Sequence, residues 1–100
     1  MGVGRKVLLS PDAVRQFRKL KAKERALLRQ AMRKHLAEED ATETKRNRFR
    51  LRRASSQADY ELRVEHLRVF YRIVEDEVLV ALLGHKRGDQ VIVEGKVFAL

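Results

Sequence analysis

Hydrophobic positions recur along this chain with two different periods, and the change of period separates a helical part from a strand-forming part. Apolar residues recur every three to four positions over residues 11–21 and 23–39, which predicts two amphipathic helices. Ser10 precedes Pro11, a combination typical of a helix N-cap followed by the first helical position. Neither Gly nor Pro separates the two helices, so we expect a helical hairpin with a tight join.

Strand signals flank this hairpin on both sides. Alternation of apolar and polar residues is typical of half-buried strands, whereas a continuous short apolar run is typical of a central strand. The predicted strands lie at residues 3–9, 48–52, 60–64, 67–74 and 78–84, with a short last strand left open at 91–93. The predicted polar loops lie at residues 54–58 and 85–89.

The order of elements predicts the fold class. Consecutive strands joined by short turns must be antiparallel, and the helices have an apolar stripe that needs a sheet to cover. We therefore expect one α+β domain over residues 1–100, with an N-terminal strand and a two-helix hairpin packed on one face of a curved antiparallel sheet, in the order β-α-α-β-β-β.

Composition excludes several classes of protein. The chain has no Cys, so it has neither a disulfide scaffold nor a thiolate zinc site, which suits a reducing cytoplasm. Its longest apolar run, Val78 to Leu83, is far shorter than the roughly 18 residues that a membrane span needs. The three histidines, at positions 35, 66 and 85, are scattered without metal-ligand spacing. We expect no metal, no cofactor and no membrane partner.

The formal charge of +9 is unevenly distributed, because residues 1–58 hold 17 Lys or Arg against 6 Asp or Glu. Strict alternation in the three middle strands predicts that their arginines share the sheet face that the helices leave uncovered, with Glu61 among them. The residues predicted on that face for nucleic-acid binding are Arg48, Arg50, Arg52, Arg63, Arg68, Phe70 and Arg72, with Arg87 in the following loop. Arginine suits phosphate, and an aromatic ring can stack on a base. The alternative is a solvated face that protects an edge strand from aggregation.

The run from Leu62 to Ile73 (LRVEHLRVFYRI) resembles the RelE/ParE family of bacterial toxins, and the segment Gly84-His85-Lys86-Arg87 resembles the family's next element. The resemblance follows the order of elements over about residues 5–95. It implies a toxin of a type II toxin–antitoxin pair in the bacterial cytoplasm, neutralised by a cognate antitoxin with an acidic or amphipathic segment. RelE-like members cut mRNA on the ribosome, whereas ParE-like members inhibit DNA gyrase.

The resemblance also implies roles for two residues. Arg68 matches the arginine that contacts the scissile phosphate in RelE-like ribonucleases, and Lys86 matches a second cation that stabilises the transition state. Independently of the family, RNA cleavage needs a base and an acid. The candidates are Glu61 as the base, beside Arg63 and Arg68, and His85 as the acid, beside Lys86. Both also have ordinary interpretations, Glu61 as an ion-pair partner and His85 as a structural residue.

Three functions remain open at this point. The first is a ribosome-dependent mRNA endonuclease that inhibits translation. The second is a gyrase inhibitor without nuclease chemistry, which is favoured because the two strand lysines of the ribonucleases are replaced by Asp59 and Glu61 and the tail after residue 95 has no Tyr. The third is a basic module that binds RNA or an acidic partner without any enzymatic activity.

Overall fold

The structure, a computed structural model, describes residues 4–51 and 57–98. The elements are β1 (Lys6–Leu9), α1 (Pro11–Arg18), α2 (Ala22–Met32), a π-helical segment (Arg33–Glu38), β2 (Arg48–Arg50), β3 (Tyr60–Val64), β4 (Leu67–Val74), β5 (Glu77–Arg87), β6 (Gln90–Val93) and β7 (Lys96–Val97). The predicted α+β class, with two helices packed on an antiparallel sheet, is confirmed.

The sheet has the order β2-β3-β4-β5-β6-β7, and all of these neighbours are antiparallel. β1 departs from the prediction, because it pairs in parallel with the first half of β5. The short-turn rule applies only to strands that follow each other directly, and the helical hairpin with three further strands separates β1 from β5. β5 is therefore the centre of the fold, with β1 beside its beginning and β6 beside its end.

The predicted loop at residues 85–89 is wrong for its first three residues. His85, Lys86 and Arg87 continue β5 and pair with β6, and the turn is confined to Gly88 and Asp89. The apolar run ends at Gly84, so the hydrophobic pattern does not reveal the extension of the strand. The short last strand is present as β6, and β7 was not predicted.

The core lies between the helices and one face of the sheet. Leu28 and Leu36 from the helical layer meet Leu62 and Val69 from the sheet, and all four are fully buried. Tyr71 belongs to the same cluster, and its hydroxyl donates to the carbonyl oxygen of Ala41 at 2.6 Å. This burial raises the pKa of the Tyr71 phenol. The hydroxyl therefore has a structural role.

Local signals explain how the helical hairpin begins. The Ser10 hydroxyl accepts a hydrogen bond from the Ala13 backbone N–H at 3.0 Å, the N-cap contact that the sequence predicts. The same hydroxyl donates to the Ala81 carbonyl oxygen at 2.7 Å, which ties the start of α1 to β5. At the start of α2, the Lys21 backbone N–H donates to the Glu24 carboxylate at 3.2 Å.

The face assigned to β2 is wrong. Arg48 lies opposite Leu62 and Arg50 lies opposite Tyr60, so both arginines share the face that packs on the helices. Phe49 lies opposite Glu61, on the other face. Alternation defines which residues of a strand share a side, but the pairing register decides which side is buried.

We call the sheet face opposite the helices the outer sheet face; it carries Glu61, Arg63, Arg68 and Phe70. The β6–β7 hairpin and the residue after it cover part of this face, because the Phe98 ring packs on the Phe70 ring at 4.7 Å between centroids. Gly84 permits the close approach of β6, since a Cβ atom there would lie 2.7 Å from the Ile92 carbonyl oxygen.

Candidate nucleic-acid interface

Three charged side chains meet on the outer sheet face, as the sequence predicts, and we call them the Glu61 cluster: Glu61, Arg63 and Arg68. Arg63 and Arg68 lie directly opposite each other on β3 and β4. Two like charges at such a position destabilise a sheet unless a countercharge separates them. Glu61 supplies it, with one carboxylate oxygen 3.1 Å from Arg63 Nε and the other 3.8 Å from Arg68 Nε.

Arg68 is held firmly within this cluster. Its Nη1 atom donates to the carbonyl oxygens of Glu65 and Leu67 at 2.7 and 2.8 Å, and only 7% of the residue is exposed. Burial lowers the pKa of Arg68, and the nearby Glu61 carboxylate opposes that shift. The guanidinium is therefore pre-oriented by the β3–β4 turn, and part of its donor capacity is already used.

Arg63 is the exposed partner in the cluster. Its side chain is half exposed, and its guanidinium carbon lies 4.3 Å from the centre of the Phe49 ring. Glu61, in contrast, is 3% exposed. Of the two arginines, only Arg68 is also held by backbone carbonyl oxygens among the described residues.

Lys86 lies on the same face as Arg68. Arg68 pairs with Gly84, so strand alternation places Lys86 two residues further along β5 on that side. Lys86 is exposed, and its backbone N–H donates to the His66 carbonyl oxygen at 2.7 Å. The neighbouring Arg87 is also exposed, but alternation directs it to the opposite side of the strand.

His85 does not join the candidate base. It lies opposite Leu67 on one side and Ile92 on the other, and both are buried, so it belongs to the helix-facing side of β5. There it lines a mainly apolar cavity of about 160 Å³ between the helical hairpin and the sheet. The candidate acid His85 and the candidate base Glu61 therefore lie on opposite faces of the sheet.

Two further predicted contacts are wrong because the side chains are buried. Phe70 is fully buried under Phe98 and has no free face for a base. Arg48 is 1% exposed; it donates to Glu39 Oε1 at 2.7 Å and to the carbonyl oxygens of His35 and Glu43 at 2.8 and 3.0 Å. Arg48 therefore joins β2 to the end of the helical layer and is not available to a ligand.

The remaining predicted arginines differ in their surroundings. Arg50 is exposed at the edge of the sheet, with its guanidinium carbon 5.7 Å from the Tyr60 ring centre. Arg72 is partly buried on the outer sheet face, and its Nε atom has no hydrogen-bond partner among the described residues. Arg52 lies outside the described residues.

The other histidines have structural partners. His66 Nε2 lies 2.7 Å from Glu24 Oε2, a contact that ties the β3–β4 turn to α2 and lowers the pKa of Glu24. His35 Nδ1 lies 3.0 Å from Glu39 Oε1. Within residues 4–51 and 57–98, no group of three or more His, Asp or Glu side chains is arranged to hold a metal ion. The helices in these ranges are too short and too polar to span a membrane.

Comparison with known proteins adds nothing to this description, since no family model matches the chain and no curated protein is significantly similar to it.

Proposed function

We propose that this protein is a RelE/ParE-like toxin of a type II toxin–antitoxin pair and that it cleaves mRNA on the ribosome. The observation that carries the proposal is the Glu61 cluster. A carboxylate lies between two guanidinium groups, and the exposed Lys86 lies on the same side of the sheet. A base next to several cations is what metal-independent phosphodiester cleavage requires.

In the proposed reaction, the 2′-oxygen of the RNA attacks the adjacent phosphorus and the bond to the 5′-oxygen breaks. Glu61 takes the proton of the 2′-hydroxyl, and Arg68 donates hydrogen bonds to the phosphate oxygens in the transition state. Lys86, the exposed ammonium on this side, neutralises the remaining charge and supplies the proton to the leaving oxygen. His85 has no part in the reaction, because it lies on the other side of β5.

Access of substrate to the cluster depends on Arg63. Its half-exposed side chain has to leave Glu61 when the substrate binds, and the phosphate then replaces the carboxylate as its partner. The antitoxin in this proposal presents an acidic or amphipathic segment to a toxin of formal charge +9, in the bacterial cytoplasm.

A second candidate is a gyrase inhibitor without hydrolytic chemistry. One observation favours it: the predicted acid and base are on opposite sides of the sheet, and the carboxylate is 3% exposed and ion-paired. Both candidates are toxins, and they differ in which synthesis stops first.

The test is induction in a bacterial host with separate measurements of protein and DNA synthesis, followed by mapping of cleavage in ribosome-bound mRNA with purified protein. For the endonuclease, translation stops first and cleavage is detected. Arg68→Lys keeps the charge beside Glu61 but loses the guanidinium fork, so cleavage falls by about 100-fold or more while the protein stays folded. Lys86→Gln produces a similar loss.

The matched control is Lys6→Gln, an exposed lysine on β1 beside the beginning of β5, whereas Lys86 lies near its end; this change leaves cleavage within about twofold. Arrest of DNA synthesis before translation, together with inhibition of purified gyrase, supports the second candidate instead. Harmless induction of the folded protein excludes both candidates and leaves a non-enzymatic binding module.

A further inference from the structure

The solvent-facing side of α2 and of the first two residues of the π-helical segment carries four cations that form no ion pair among the described residues. We call Lys23, Arg29, Arg33 and Lys34 the α2 stripe. With 3.6 residues per turn they fall within an arc of about 140° and extend over about 16 Å of helix. All four are exposed.

The stripe contains no acidic side chain. Its other exposed members are Ala22, Ala26 and Gln30, whereas Glu24 is turned toward His66. A surface selected only for solubility mixes both signs of charge. Here residues 11–38 contain nine Lys or Arg and only three Asp or Glu.

This arrangement also has a cost in helix stability. Arg29 and Arg33 are four residues apart, a spacing at which like charges repel each other. Arg29 is further oriented by its own helical layer, because its guanidinium carbon lies 5.4 Å from the Phe17 ring centre. Repelling, partly oriented and unpaired cations favour a partner that supplies negative charge.

We propose that the α2 stripe binds the phosphate backbone of a double-helical nucleic acid, independently of base sequence. The stripe meets the Glu61 cluster only at its end, where Lys34 and Arg63 line one cavity, and duplex binding goes beyond the proposed activity. A stripe of about 16 Å is long enough to face phosphates on both sides of the B-DNA major groove, which is about 12 Å wide. The small side chains of Ala22 and Ala26 let the helix approach the duplex closely.

The chemistry of the surface argues for nucleic acid over other anionic partners. Membrane binding by a helix needs an apolar face, but the exposed large apolar side chains of the described residues, Leu8, Val74 and Val97, all lie on strands. An acidic protein segment needs apolar anchor pockets for affinity. Most of this stripe offers only charged side chains, Gln and Ala, and a cavity with apolar lining from Leu27, Ala31 and Val64 adjoins it only at Gln30 and Lys34. Charge neutralisation alone suffices for a nucleic-acid backbone.

The test compares the full chain with the triple variant Lys23→Gln, Arg33→Gln and Lys34→Gln, which keeps good helix formers and leaves Arg29 on Phe17. Binding to fluorescent RNA and DNA duplexes of random sequence is followed by anisotropy between about 50 and 200 mM KCl. Loss of three phosphate contacts weakens binding by about 100-fold at about 100 mM KCl and lowers the salt slope by about two to three.

The matched control removes the same charge from three exposed positions elsewhere: Lys6→Gln, Arg46→Gln and Lys96→Gln. We expect its salt slope to change by less than about one. Equal effects in the two triple variants overturn the proposal, because net charge would then explain the binding. Tighter binding to phosphatidylserine vesicles or to polyglutamate than to either duplex, at equal salt, overturns it as well.

The duplex-binding test is independent of the cleavage test. If induction proves harmless but the α2-stripe variant loses duplex binding, the proposed function fails and this inference stands. If the variant binds duplexes normally while the wild type cleaves mRNA, the inference fails and the proposed function stands.

Discussion

The outer sheet face and the α2 stripe contain similar cations, but the protein treats their charges differently. On the outer sheet face, Arg63 and Arg68 share the Glu61 carboxylate, and Arg68 is almost fully buried. On the α2 stripe, the cations point to solvent without carboxylate partners among the described residues. The number of arginines on the sheet therefore overstates the positive charge that a ligand can reach there. The helical layer presents more of its positive charge to solvent.

The largest effect is expected where an arginine is most completely buried. Arg48→Met should lower the free energy of unfolding by about 3 kcal/mol, because Glu39 and two backbone carbonyls lose their donor. Urea denaturation measures the loss. Arg50→Met, an exposed change on the same strand, should stay within about 0.5 kcal/mol. Equal stability of the two variants would contradict the structural role of Arg48.

Arg48 also shows where sequence reasoning reaches its limit. Alternation correctly placed Arg48 and Arg50 on one side of β2. Nine residues separate the end of β2 from the start of β3 in the sequence, so no short turn sets the register between these strands. The two-residue turn between β3 and β4 does set it, so the meeting of Glu61, Arg63 and Arg68 could be predicted.

Non-local pairing explains the other differences. The parallel contact of β1 with β5 joins residues about 70 positions apart, and no periodicity encodes it. His85 continues a strand beyond Gly84 because β6 pairs with it, although its own segment is polar. The α2 stripe was missed by the sequence analysis, although a signal was present: cations at helical spacing without intervening carboxylates on that side.

The second prediction removes the countercharge of the outer sheet face. Glu61→Gln should destabilise the protein by about 2 kcal/mol, since the buried Arg68 loses its carboxylate. It should also strengthen duplex RNA binding, because Arg63 is released, while mRNA cleavage falls if Glu61 is the base. Anisotropy and urea denaturation measure these effects, with the exposed Glu75→Gln as the control. If neither the stability nor the binding changes, the pairing of Glu61 with Arg63 and Arg68 contributes little to the fold or to the charge of this face.

The third prediction concerns pH. His35 and Arg48 hold the pKa of Glu39 at about 2, below its ordinary 4.5. A depressed carboxyl pKa stabilises the fold above the unfolded value, and this contribution is lost as the pH falls from about 4.5 toward 2. After discounting for solvent screening, we expect wild type to lose about 1–2 kcal/mol more than Glu39→Gln over this range. Unfolding by urea at both pH values measures it, and the exposed Glu38→Gln should lose as much as wild type.

The smallest expected effect is a gain in stability, and it tests whether the clustered charge of the α2 stripe destabilises the helix. Arg33→Gln removes the repulsion with Arg29 one turn earlier, so the free energy of unfolding should rise by about 0.2–0.5 kcal/mol, or about 1–3 °C in Tm. Lys34→Gln is the matched control, because the residue one turn before it is the neutral Gln30 and no repulsion is relieved. Both variants remove one phosphate contact and should weaken duplex binding similarly. If only Arg33→Gln gains stability and both variants lose duplex binding equally, the clustered charge lowers stability but contributes to binding. If Arg33→Gln loses stability instead, this cation supports the helix itself.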